Sequence, residues 1–146
     1  MIKGDIGFTG TQEGMTKEQF KTVCKILIHF KKNRYMVPIS FHHGCCIGAD
    51  EQSHVIASSL GYPIVLHPPI NTSKKIAYPQ WCYFLRFEPK PYLERNHEIV
   101  DNSYLLIAVP KGEEELRSGT WSTIRWARKQ NKHILIIKPD GKITHE

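Results

Sequence analysis

Short apolar runs alternate with helix-like stretches along all 146 residues, and that alternation limits the fold more than any single motif. Residues 5–9, 37–41, 63–66, 104–109 and 133–137 read as five strands. Four of them are near-continuous apolar runs, the pattern of strands buried on both faces of a parallel sheet. Between the first two lies a stripe of Phe20, Val23, Cys24, Leu27 and Phe30 at helical spacing. Thr16 and Gln19 form its capping box, each side chain satisfying a free N–H at the helix start. Further helices are expected over 51–60, with Gly61 as its C-terminal cap, over 92–102, with Leu93, Ile99 and Val100 inward, and over 120–130. Strands and helices that alternate in this way predict an α/β fold: three layers, with helices on both faces of a mostly parallel central sheet. Residues 67–91 are proline-rich and irregular. They read as a long functional loop with one short element around 81–87. Pro139-Asp140-Gly141 turns the chain into a short tail.

In an open parallel sheet the ligand crevice lies beyond the carboxyl ends of the strands. Three turns are placed at that edge. The first is Thr9-Gly10-Thr11. The second is His42-His43-Gly44-Cys45-Cys46-Ile47-Gly48-Ala49-Asp50, where two glycines allow a tight turn and Asp50 is placed to cap the following helix. The third closes with Ser118-Gly119-Thr120. The second and third open helices, whose free N–H groups suit an anionic or nucleotide-like ligand. His67 ends the third strand at the same edge, and Trp81 and Tyr83 offer faces on which a base can stack.

Composition narrows the class. The length suits one domain spanning residues 1–146 with a real apolar core. No run approaches the roughly 18 apolar residues of a membrane helix. The first residues lead almost directly into a strand, so no signal peptide is expected. Cys24, Cys45, Cys46 and Cys82 lack disulfide-framework or zinc spacing, which fits reduced thiols in a cytoplasmic protein. Adjacent His42 and His43 point to opposite sides of a strand and make a poor metal pair; no metal and no cofactor is expected. The formal charge of +6 favours phosphate-bearing partners, small ligand or nucleic acid.

The ordered set of motifs resembles the SLOG superfamily of Rossmann-like domains. This group includes the LOG phosphoribohydrolases, the DNA-processing protein DprA and several nucleotide-sensor domains. The resembling residues are 6–11 (Ile-Gly-Phe-Thr-Gly-Thr), Gly44 through Asp50 with His54 following, Arg95-Asn96 with Ile99-Val100, and Ser118-Gly119-Thr120 with Thr123 and Ala127. They occur in family order across residues 6–137. The resemblance implies a Rossmann-like fold and a nucleotide-derived ligand held by Thr9, Gly10, Thr11, His43, Gly44, Gly48, Ala49, Asp50, His67, Arg95, Asn96, Ser118, Gly119 and Thr120. Arg95 and Asn96 match the family's Arg-Asn pair near the phosphates. LOG enzymes carry PGGxGTxxE with a catalytic glutamate; here that position is Thr123, which cannot do a carboxylate's work. The Ser-Gly-Thr form and the Gly-Ala-Asp with its following histidine lean toward DprA, which is larger and carries further domains.

Three functions follow as expectations. The first is binding of a nucleotide-derived small molecule for sensing or sequestration. Related sensor domains in antiviral systems bind cyclic ADP-ribose-type signals, and a lone domain would sequester one in the manner of a phage counter-defence sponge. The second is an N-glycosidase or phosphoribohydrolase with Glu98 as its carboxylate. The third is single-stranded DNA binding in the DprA manner. Exposed rings in the long loop favour a homo-oligomer.

Overall fold

A computed structural model describes residues 4–33 and 39–146. It contains one seven-stranded sheet in the order β4-β3-β2-β1-β5-β6-β7. The strands are β1 (Ile6–Gly10), β2 (Phe41–His43), β3 (Ile64–Leu66), β4 (Leu85–Arg86), β5 (Leu105–Val109), β6 (His133–Ile137) and β7 (Ile143–His145). All pairings are parallel except β6 with β7. The helices are α1 (Lys17–Lys32), α2 (Ala49–Ser59), α3 (Tyr92–Asp101) and α4 (Gly119–Lys129), with a 3-10 turn at Gln80–Cys82. The fold is therefore the expected mostly parallel α/β sandwich.

Alternation along β5 and β6 divides the core between two faces. Ile107, Val109 and Ile137 pack with Val23 and Leu27 of α1 and Ile56 of α2. Leu106, Ala108, Ile134 and Ile136 pack with Val100 of α3 and Trp121, Ile124 and Ala127 of α4. These strands are apolar on both sides because a helical layer covers each side. The capping box forms as expected: the Thr16 hydroxyl accepts the Gln19 N–H at 3.0 Å, and the Gln19 amide oxygen accepts the Thr16 N–H at 3.0 Å.

The chain departs from the sequence pattern in several places. Positions 37 and 38 of the expected second strand lie outside the described residues, and the observed strand runs on from Phe41 through both histidines. Both rings are buried, because each finds polar partners inside the protein. Helix α2 begins at Ala49, with Gly48 at the cap position and no side-chain cap. Helix α4 begins at Gly119, and the Ser118 hydroxyl caps it by accepting the Trp121 N–H. Leu93 faces outward rather than inward. The short element in the long loop resolves into the 3-10 turn and the edge strand β4. The expected tail is a strand: Lys138 N–H donates to the Lys142 carbonyl at 2.9 Å, closing a hairpin that pairs Ile137 with Ile143.

Candidate functional site

Strand order reverses between β1 and β5: β2, β3 and β4 extend to one side of β1, and β5, β6 and β7 to the other. Loops leaving the carboxyl ends of β1 and β5 therefore part in opposite directions, and a crevice opens between them. A cleft of about 670 Å³ lies there. Thr9, Gly10 and Thr11 line it from the end of β1. Gly44, Cys46 and Asp50 line it from the turn after β2, Arg95 and Asn96 from α3, and Ser118, Gly119 and Thr120 from the start of α4.

Of the other residues singled out from the sequence, His43, Gly48, Ala49 and His67 do not line the cleft. Gly48 instead lets α2 pack against the turn after β1. Its φ is +84°, and a Cβ would lie 2.5 Å from the Gln12 carbonyl carbon and 2.8 Å from the Thr11 oxygen. Ala49 N–H then donates to the Thr11 carbonyl at 3.0 Å. His43 lies behind the wall: its Nδ1 accepts the Cys45 N–H at 3.1 Å, and its Nε2 lies 2.8 Å from His54 Nδ1. This partnership helps hold Cys45 at φ +60°, a conformation that a side chain ordinarily disfavours. His67 is wholly buried, with Nε2 at 2.7 Å from His42 Nδ1 and Nδ1 at 2.7 Å from Glu98 Oε1.

Asp50 does not cap α2, of which it is the second residue. Its carboxylate turns back to accept the Cys46 N–H at 3.2 Å and so braces the turn. Burial pushes this carboxyl up to about 6, against the pull of the Arg95 guanidinium. Burial likewise pushes the Cys45 thiol up to about 12 and raises Cys46, with Asp50 adding to both shifts. Both shifts disfavour the thiolate, the form in which a cysteine acts as a nucleophile.

Arg95 dominates the electrostatics. The residue is 5% exposed. Its Nε donates to Asn96 Oδ1 at 2.9 Å, and its Nη1 donates to the carbonyls of Gly44 and, at 3.2 Å, of His67. Among the described residues it forms no ion pair. The guanidinium is held by neutral carbonyls, with the Asp50 carboxyl acting on it only through space, so it still has donors to offer an anion at the cleft wall. The N-terminus of α4 adds the positive end of a helix dipole to the same cleft.

Neither Glu98, the carboxylate named for a glycosidase, nor Thr123, at the position of the LOG glutamate, lines the cleft. Glu98 is engaged by His67 and Lys90 and lies outside the lining. Thr123 is fully buried, and its hydroxyl donates to the Gly119 carbonyl within α4. Trp81 is 86% exposed and does not line the cleft. The sequence reading missed Tyr92, Asn71, Ser73 and Lys74, which do line it. Tyr92 stands one helical turn before Arg95 and carries the guanidinium 5.3 Å from its ring centre, so helical spacing held that signal. The loop bearing Lys74 is strapped to the glycine turn, with Ile47 N–H donating to the Lys74 carbonyl at 2.9 Å and Ile76 N–H to the Cys45 carbonyl at 2.7 Å. No local pattern announces such a contact.

Solved structures share this architecture. One is the structural-genomics target TM1055, with a TM-score of 0.64 at 14% identity over 90% of this chain and 72% of that one. DNA processing protein A (DprA) from Streptococcus pneumoniae aligns with a TM-score of 0.66 at 16% identity over 91% of this chain. This chain spans 50% of the length of that DprA chain. The molybdenum cofactor carrier protein from Chlamydomonas reinhardtii aligns with a TM-score of 0.62 at 15% identity over 92% of this chain and 76% of that one. These likenesses show the fold, which is Rossmann-like. No family model and no curated protein matches the chain. Among the described residues no helix is long and apolar enough to cross a membrane, and no cluster of side chains is suited to a metal ion.

Proposed function

We propose that the cleft binds a nucleotide-derived, phosphate-bearing small molecule and holds it intact, for sensing or sequestration. One observation carries this reading: the buried Arg95 guanidinium, without an ion pair among the described residues, stands in the same cleft as the α4 N-terminus. Fixed donors and a guanidinium free of any direct ion pair among the described residues, already in place before the ligand arrives, are what phosphate recognition requires. The turn at Thr9, Gly10 and Thr11 supplies the opposite wall, and the Tyr92 ring offers a face for a base or ribose.

Holding rather than hydrolysing is supported by the carboxylates. Those lining the cleft are Glu13, Asp50 and Glu115. Glu13 pairs with Lys111, Asp50 braces the turn, and Glu115 is exposed on the loop before α4. A cyclic ADP-ribose-type signal is the concrete candidate, and a counter-defence sponge the concrete role.

The test is mass spectrometry of small molecules released by heating the purified protein, followed by titration with the nucleotide recovered. An intact nucleotide derivative is the expected result. Recovery of free base with ribose phosphate would replace binding by glycosidic cleavage. If no nucleotide is released and none binds, the reading fails.

A further inference from the structure

Two histidines lie end to end inside the protein, between two carboxylates. His42 Nδ1 is 2.7 Å from His67 Nε2. At one end His42 Nε2 is 2.8 Å from Asp5 Oδ2, and at the other His67 Nδ1 is 2.7 Å from Glu98 Oε1. Lys90 pairs with the second oxygen of Glu98. Each of the three contacts involving a ring nitrogen requires one hydrogen between its two atoms. Two neutral imidazoles carry one N–H each, and ionised carboxylates carry none. The row is therefore one hydrogen short as long as both rings are neutral.

Each carboxyl already has a donor of its own on its other side: Asp5 Oδ1 accepts the Ser40 N–H at 3.0 Å, and Glu98 pairs with Lys90. We propose that His42 and His67 hold one proton between them, as a charged clasp with Asp5 and Glu98 at its ends. The two carboxylates, the ammonium and the shared proton then sum to zero charge around the two buried rings, the condition under which buried charge is tolerated.

Other groups bear on the pair. The Arg95 guanidinium faces the His67 carbonyl and opposes charging of that ring, and His43 is the next residue along β2. The Phe87 ring packs on His67 at 4.4 Å. Burial lowers both rings, His67 to about 4, while the carboxylate at each end pulls the other way; one shared proton serves both ends, whereas a second would set two like charges side by side.

The clasp gives His67 a positioning role. Its ring holds Glu98, and its carbonyl accepts Arg95 Nη1 at 3.2 Å. Both partners are on α3, one turn apart. His67 thus fixes the helix that presents Arg95, whatever the cleft binds.

Nitrogen-15 NMR of histidine-labelled, ligand-free protein tests the proton directly. At neutral pH the two rings should together show one imidazolium, with a far-downfield proton between Nδ1 of His42 and Nε2 of His67. In Asp5→Asn the amide donates to His42 Nε2, so two neutral rings satisfy all three contacts and the positive charge should vanish while the fold stays. Two neutral rings in the wild type, or a persisting charge in Asp5→Asn, overturns the proposal. For positioning, hydrogen exchange at Arg95 Nε should accelerate about tenfold or more in Glu98→Ala but stay slow in Glu98→Gln, whose amide can donate to His67. Unchanged exchange in Glu98→Ala removes the positioning role. Should Glu98→Ala not fold, Asp5→Asn at the partly exposed end still decides the proton.

Discussion

Gly44 faces the guanidinium of Arg95 with no room for a side chain between them: a Cβ there would stand 2.5 Å from Nη1 and 2.6 Å from Cζ. The absent side chain lets Nη1 reach the Gly44 carbonyl. Gly44→Ala should therefore displace the guanidinium without disturbing the sheet. A charge-assisted hydrogen bond contributes about 1.5–3 kcal/mol, so nucleotide affinity should fall roughly 10- to 100-fold. Arg95→Lys should lose a similar amount, because an ammonium keeps the charge and loses the fork. Calorimetric titration with the nucleotide recovered from the wild type checks both. Wild-type affinity in Gly44→Ala would remove Arg95 as the anchor.

Gly48 and Cys45 separate a backbone cradle from a reactive centre. At Gly48 the left-handed φ and the contact with the Thr11–Gln12 backbone both exclude a side chain. Gly48→Val should lower stability by about 2–4 kcal/mol, the range of severe backbone and overpacking changes, and abolish binding. Cys45→Ser should leave binding within about threefold and lower stability by about 1–2 kcal/mol through a buried hydroxyl. Denaturant melts paired with titration report both quantities. The opposite order would mean that the thiol, not the turn, does the chemistry.

Much of the fold was legible because its strands are apolar on both faces and its helices carry stripes at helical spacing. Tyr104 to Val109 could hardly be anything but a central strand. Strand β2 was misplaced because a hydropathy reading treats His42 and His43 as the end of an apolar run, whereas burial with hydrogen-bond partners lets both stay in the sheet. Strand β7 was invisible because three residues, two of them polar, form a strand only when a hairpin and a neighbouring helix hold them. For the site, residues on the turns were legible, since glycines and helix starts mark them locally. Lys74 and Asn71 were not, because a loop strapped on by backbone hydrogen bonds leaves no trace in spacing. His67 looked like a ligand contact for the right reason, its place at a strand end, yet its ring turns inward to His42 and Glu98.

The strap that holds β7 predicts a measurable salt effect. Arg128 donates to both carboxylate oxygens of Glu146, at 2.6 and 3.0 Å, and pairs with Glu114. Arg128 and Glu146 are about one-third exposed, so their pair contributes at most about 1 kcal/mol. Arg128→Ala should lower stability by about 1 kcal/mol, and the difference from wild type should shrink in about 1 M salt, where charges are screened within a few ångströms. Denaturation midpoints at low and high salt measure it. A salt-independent difference would assign the effect to the packing of Arg128 over the Trp121 ring, 5.8 Å away.

Acid should reveal two buried groups working in opposite directions. Burial holds the His43 ring well below its ordinary 6.5, so the folded state refuses a proton that the unfolded chain accepts. Its contribution to stability is complete above pH 6.5 and is lost as pH falls toward its folded value. His54, also lowered by burial, acts with the same sign. Asp50 is raised from 3.8 to about 6, so its contribution is complete below 3.8 and lost as pH rises through about 6. On acidification Asp50 therefore offsets part of what His43 loses. In Asp50→Asn the amide oxygen still accepts the Cys46 N–H, but the titration is gone. The variant should lose about 2 kcal/mol more than wild type between neutral pH and about pH 4.5, from integrating the Asp50 shift over that window. Urea unfolding across that range measures the two slopes. Parallel curves would show that the folded Asp50 carboxyl titrates as it does in the unfolded chain, and that its buried contact with the turn carries no proton linkage.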